Sequence, residues 1–177
     1  MHDKLTSYRP ITDIWILGRP KSHYYGAYPE GFLWRAKTLI GNGKCIHLCS
    51  GKLEPYFPID KKAILNDDTL DIDSSLKPKF VCDATNTNLA NSSYDCALID
   101  SPYTDDDAKH YNHKILPEPK GLLNEATRIV VIGGRIGFLH YIIPRPNKKL
   151  RFLACIGIFY GYDNRMRAFS VFEKISD

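Results

Sequence analysis

Residues 96–103 read Cys96-Ala97-Leu98-Ile99-Asp100-Ser101-Pro102-Tyr103. Four apolar residues without alternation, closed by a carboxylate and a proline turn, describe a strand buried on both faces. Three segments upstream repeat the pattern. Lys44–Cys49 ends in Ser50-Gly51, Thr69–Ile72 carries Asp71 and runs into Asp73, and Lys79–Cys82 ends at Asp83. Most of the gaps are long enough for crossovers between parallel strands. Downstream, Ile129–Ile132 and Ile136–Tyr141 flank Gly133-Gly134 and read as strands, or as a helix end plus a strand. Arg151–Tyr160 and Arg167–Lys174 are joined by Gly161-Tyr162-Asp163-Asn164, a hairpin-type turn. Together these predict a doubly wound, mostly parallel α/β sheet of seven strands with an antiparallel C-terminal hairpin. The residues up to about 40 are rich in aromatics and turns and read as irregular structure leading into a short helix, roughly Gly31 to Ile40.

The 177 residues suit one domain, with an N-terminal arm and helix over 1–40 and a core over 41–177. Hydrophobic residues at 44% and charged residues at 25% exclude disordered and collagen-like classes. No apolar run reaches the roughly 18 residues of a membrane span, and Met1–Pro10 lacks a signal-peptide core. A cytoplasmic location is therefore expected. Cys45, Cys49, Cys82, Cys96 and Cys155 form no CxxC pair and are expected to be reduced and packed rather than bridged. Charge is segregated. Residues 1–52 carry eight Lys/Arg against three Asp/Glu, 53–107 carry four against twelve, and 128–177 carry nine against three. Basic ends suit a polyanionic partner, and also suit simple solvation.

In open α/β sheets ligands bind beyond the carboxyl ends of the strands. Cys49-Ser50-Gly51-Lys52 brings small residues to the first strand end, without the glycine pattern of a phosphate loop or a dinucleotide fold. Asp71, twenty residues beyond Gly51, can accept from both hydroxyls of a ribose. Asp83-Ala84 can accept from an adenine amino group. Each aspartate also suits an ordinary strand-end turn. Asp100-Ser101-Pro102-Tyr103 sets a carboxylate, a backbone carbonyl and an aromatic face in one turn, able to hold a flat amine or a flipped nucleotide.

The combination resembles the class I S-adenosylmethionine-dependent methyltransferases, in particular those that modify exocyclic amines of nucleic-acid bases. The likeness spans roughly Tyr24 to Lys174. In that family a tetrapeptide [DNS]PP[YFW] is catalytic, and Asp100-Ser101-Pro102-Tyr103 matches it at three of four positions. The resemblance implies that His47, Cys49, Ser50 and Gly51 cradle the methionine part of S-adenosylmethionine. It implies that Asp71 binds the ribose and that Asp83 and Ala84 meet the adenine. The segment Tyr28-Pro29-Glu30-Gly31-Phe32 resembles one that packs beside the cofactor's methionine end, which brings in Tyr28, Pro29 and Phe32. Similar segments occur in phage-borne methyltransferases. Glu125–Val130 before Gly133-Gly134 resembles the segment before the family's fifth strand. Two positions depart from the pattern: Cys49 stands where glycine is usual, and Ser101 replaces the first proline.

The implied activity is methyl transfer to a base amine, adenine N6 in DNA first and cytosine N4 second, with no metal and no membrane. RNA, a protein amide, a small molecule or a non-catalytic binding module are the alternatives. No separate target-recognition domain is evident, so specificity is low, or comes from an accessory partner or a second copy, or the acceptor is not duplex DNA. Arg145, Lys148 and Lys149, with Arg165 and Arg167 at the hairpin, are the candidate phosphate contacts. Thr104 followed by Asp105-Asp106-Asp107 reads as a capped helix start rather than a metal site. His110 and His113 lack an evident third ligand. Trp15, Tyr24, Tyr25 and Trp34 are expected in the core.

Overall fold

The computed structural model describes residues 9–21, 24–55, 57–111, 116–160 and 166–177. Arg165, His113 and the 161–164 turn lie outside the described residues. Eight strands form one sheet: β1 (Ile11–Leu17), β2 (Cys45–Leu48), β3 (Asp68–Asp71), β4 (Phe80–Val81), β5 (Tyr94–Ile99), β6 (Val130–His140), β7 (Leu150–Tyr160) and β8 (Arg167–Lys174). Their order is β1-β7-β8-β6-β5-β2-β3-β4. All pairings are parallel except those of β8 with β6 and β7. The doubly wound mixed sheet and its antiparallel C-terminal hairpin are as the sequence predicts.

The strand count differs by one. Residues 11–17, expected to be irregular, form β1 at the sheet edge, where Ile11 pairs with Ala154 and Leu17 with Tyr160. Ile14 and Ile16 of this strand are largely exposed and its partner lies far along the chain. Nothing local therefore marks it as a core strand. Glycines 133 and 134 do not break β6. Gly133 takes φ 81° where the β5–β6 register shifts, so the strand bulges and continues.

Both sheet faces are covered, which is why the inner strands do not alternate. Ile46, Leu48, Ala97, Ile99, Ile136 and Phe138 pack on one face with α4 (Pro119–Ile129). On the other face, Cys45, Cys96, Leu98, Phe169 and Val171 pack with α1 (Phe32–Ile40). Each such fully buried aliphatic or aromatic side chain contributes about 1.5–3 kcal/mol. The first turn of α1 is held from outside. Gly31 caps it at φ 79° with no side chain of its own, and the buried Asp60, in α2 (Pro58–Ala63), accepts from Gly31 N at 2.7 Å and Trp34 N at 2.9 Å. Short α3 (Asp105–His110) starts as expected, with Thr104 Oγ1 accepting from Asp107 N at 3.1 Å. All five cysteines are free. No described helix is long and apolar enough to cross a membrane.

Strand order reverses between β2 and β5. The carboxyl ends of these neighbours, at Cys49 and Asp100, open the crevice where open α/β sheets bind ligands.

Candidate active site

A cleft of about 1220 Å³ lies over this end of the sheet. Its floor is made by the turns after β2, β3, β4 and β5, and its walls by the N-terminal arm, the ends of β6 and β7, and the start of β8. Cys49, Ser50, Gly51, Asp71, Asp83, Ala84 and the turn Asp100–Tyr103 all line it. Residues far apart in sequence thus share one surface because parallel strands deliver their ends to the same edge.

The loop after β2 is tied to β3. Asp71 Oδ2 accepts from Gly51 N at 2.8 Å, and Oδ1 accepts from Asp73 N at 3.0 Å. Each carboxylate oxygen keeps a further lone pair for a ligand hydroxyl. Gly51 has φ 54°, and a Cβ there would meet the Tyr24 ring at 3.1 Å, so the arm closes tightly over the loop. Cys49 adopts φ 56°, a conformation that favours glycine. Burial pushes its thiol pKa up, with Asp71 and Asp100 adding to the effect. Asp83 Oδ1 accepts from both the backbone N and the Oγ1 of Thr85 at 2.7 Å.

After β5, burial pushes Asp100 up to about 6, against the Arg167 charge and a hydrogen bond from Tyr103 that both lower it. The Tyr103 hydroxyl donates to Asp100 Oδ1, and Arg167 Nη1 donates to that hydroxyl at 3.1 Å. The Arg167 guanidinium lies 4.7 Å from the Tyr160 ring centre. His140 packs edge-on to Tyr103 with centroids 4.9 Å apart. Burial lowers its pKa, and its hydrogen bond to the Pro102 backbone opposes that. His140 Nδ1 accepts from Ile142 N at 3.1 Å, so the ring pins the carboxyl end of β6 to the Pro102 turn. Tyr141 adds a second ring 4.5 Å from Tyr103. The result is a carboxylate, a fixed turn and an aromatic wall around a space suited to a flat amine.

Several anticipated residues lie elsewhere. Phe32 is fully buried and stacks at 5.3 Å beneath Tyr28, which does line the cleft. Pro29 faces a separate small hollow beside Leu33 and Asp60. His47 is buried on the α1 face, with Nε2 3.0 Å from Asp67 Oδ2. There Cys45, His47 and Asp67 bring potential ligand atoms within 4.8 Å of one another. Lys37 Nζ occupies the neighbourhood, 3.0 and 3.1 Å from the two Asp67 oxygens. Lys148 and Lys149 sit at the opposite end of the strands from the cleft. Leu150 pairs with Lys174, whose Nζ reaches Val130 O at the start of β6. Arg145 is exposed on the crossover between β6 and β7.

Tyr24 and Tyr25, expected in the core, form the cleft wall instead. Tyr25 donates to Asp107 at 2.7 Å and Tyr111 donates to Tyr25 O at 3.2 Å, which joins the arm to the segment after the Asp100 turn. Arg167, read as a surface cation, is 5% exposed. A signal for it was present. Arg167 is in phase with Phe169 and Val171 on one face of β8, and both of those are core.

No family model matches the sequence, and no curated protein matches it. Solved structures do match. TrmN from Thermus thermophilus superposes with a TM-score of 0.55 at 12% identity, over 81% of this chain and 47% of that one. A Pyrococcus horikoshii protein, assigned provisionally as an RNA methyltransferase, gives 0.54 at 12% identity over 81% of both chains. Geranyl diphosphate methyltransferase in complex with SAM gives 0.53 at 9% identity, over 81% of this chain and 83% of that one. The chain spans about half the length of TrmN and of a Thermotoga maritima SAM-dependent methyltransferase, which it matches at a TM-score of 0.43. At these identities the likeness establishes the Rossmann-like methyltransferase fold.

Proposed function

We propose that this chain is an S-adenosylmethionine-dependent methyltransferase acting on an exocyclic amine of a nucleic-acid base. The observation that carries the reading is the convergence of the Gly51–Asp71 loop, the Asp83-Ala84 turn and the Asp100–Tyr103 turn on one cleft at the strand-order reversal. The residues present fit the cofactor. Asp71 supplies carboxylate oxygens for ribose hydroxyls, Asp83 and Ala84 supply an edge and a small floor for the adenine, and Tyr28 covers the Cys49 side. When bound, S-adenosylmethionine supplies an electrophilic methyl group.

The protein's part is positioning. Asp100 and the Ser101 carbonyl accept the two amine hydrogens and so turn the nitrogen lone pair toward the methyl. Pro102, fixed by His140, holds that turn, while Tyr103 stacks on the base. Such alignment contributes about 7–11 kcal/mol of barrier reduction in well-oriented systems. The ionised Asp100 also raises electron density on the amine and takes up the positive charge that develops as the bond to carbon forms. DNA and RNA both remain acceptors to test, since one fold neighbour carries a provisional RNA methyltransferase assignment.

Transfer of labelled methyl to DNA and RNA pools tests the reading. Incorporation is expected with the wild type. Asp100→Ala is expected to abolish it while keeping cofactor affinity within a few fold. Full activity of Asp100→Ala would remove the tetrapeptide from the mechanism.

A further inference from the structure

Among the described residues, seven buried side-chain polar atoms have no hydrogen-bond partner. Four of them, Tyr28 OH, Ser101 Oγ and Arg167 Nε and Nη2, belong to residues that line the cleft, and the atoms themselves are closed to solvent. Arg167 is the informative case. Arg128 grips the Glu125 carboxylate through its Nε and Nη2, at 2.9 and 2.6 Å, and Arg151 uses the same edge toward Glu173. In Arg167, whose guanidinium lies over the Tyr160 ring, the hydrogen bond is from Nη1 to Tyr103 and the corresponding edge has no hydrogen-bond partner. A buried guanidinium without partners on its fork is unfavourable, and it can only donate. A ligand that presents two acceptor atoms side by side would complete it.

The next step rests on the methyltransferase reading, which puts the acceptor amine at Asp100. A single hydroxyl, that of Tyr103, links Asp100 to Arg167. An acceptor that meets both groups carries an amine followed along the same edge by two acceptors. Cytosine has this order: amine N4, then N3, then O2. Adenine has amine N6, then N1, then a C–H, and offers a fork only one acceptor.

We propose that Arg167 reads the acceptor base and selects cytosine, its Nε–Nη2 edge turning onto N3 and O2 as the base enters while Asp100 and Ser101 hold N4. In the reaction N4 forms a bond to the methyl carbon as the carbon–sulfur bond breaks, the electron pair stays on sulfur, and the N4 proton passes to Asp100 and then to water. This reverses the order of bases that the sequence favours.

Two measurements test it. Protein saturated with S-adenosylhomocysteine is titrated with dCMP and with dAMP. Tighter binding of dCMP is expected, and loss of that preference in Arg167→Lys. Equal or tighter binding of dAMP overturns the proposal. So does retention of only an Arg167-dependent affinity for inorganic phosphate, which would mark an oxyanion site. In the second measurement a randomised DNA pool, single-stranded and duplex, and an RNA pool are methylated and hydrolysed to nucleosides. N4-methylcytosine is expected, with Arg167→Lys lowering kcat/KM roughly a hundredfold or more at unchanged cofactor affinity. N6-methyladenine, or no methylated base from protein that binds S-adenosylmethionine, overturns the proposal. Absence of cofactor binding overturns instead the reading on which it rests.

Discussion

The Tyr103 hydroxyl donates a hydrogen bond to Asp100, three residues before it in the same turn. Burial raises the Asp100 pKa to about 6, and this bond and the Arg167 charge restrain the rise. The amine-holding form is the carboxylate. Methyl transfer should therefore increase with pH through a limb near 6 and level off above it. Tyr103→Phe keeps the ring and removes the restraint, so its limb should move to higher pH. A pH profile of kcat for both proteins checks the sign, and an acid-shifted limb in Tyr103→Phe would contradict it.

The Gly51 amide on Asp71 is the second joint of the site, at 2.8 Å. Asp71→Ala leaves the amides of Gly51 and Asp73 without their acceptor and frees the loop. Cofactor affinity should fall at least about tenfold, equal to roughly 1.4 kcal/mol, with the melting temperature moving much less. Gly51→Ala adds a methyl group 3.1 Å from the Tyr24 ring at φ 54°, and should weaken cofactor binding in the same assay.

Lys37 and Asp67 form a buried ion pair, with His47 hydrogen-bonded to the same carboxylate, that serves stability away from the cleft. Burial tends to raise Asp67, but the bonds from His47 and Lys37 outweigh it and hold the carboxyl below its usual range. A depressed carboxylate stabilises the fold above the unfolded pKa of about 3.9, and that contribution is lost as pH falls through the lower folded value. Lys37→Met should cost about 3–5 kcal/mol at neutral pH, because it strips Asp67 of its buried cation. Urea denaturation at several pH values measures both effects. A loss below about 1 kcal/mol would contradict the assigned weight of this pair.

Much of the fold was legible because buried parallel strands announce themselves as short apolar runs with a polar stop. Cys45–Leu48 and Tyr94–Ile99 lie where the runs predicted, and Asp71, Asp83 and Asp100 stand at strand ends on one cleft. What escaped depended on long-range pairing. The edge strand at Ile11–Leu17 needs Ala154–Tyr160 to exist. Lys148 and Lys149, candidate phosphate contacts, are carried by the crossover to the end of the sheet away from the cleft. His47 and Phe32 sit beside cleft-lining neighbours, yet their side chains turn to the α1 face. Arg167 was misread from its neighbourhood in the hairpin, although its phase with Phe169 already pointed inward.

Gly137 leaves no room for a side chain between β6 and β8. A Cβ there would lie 2.7 Å from the Phe169 ring, two residues from Arg167. Gly137→Ala should cost about 1–3 kcal/mol through overpacking, seen as a lowered melting temperature.

Calorimetric titration of the protein with S-adenosylmethionine and S-adenosylhomocysteine tests the central claim most directly. The account predicts micromolar binding of both that Asp71→Ala weakens. A folded protein that binds neither at millimolar concentration would contradict it.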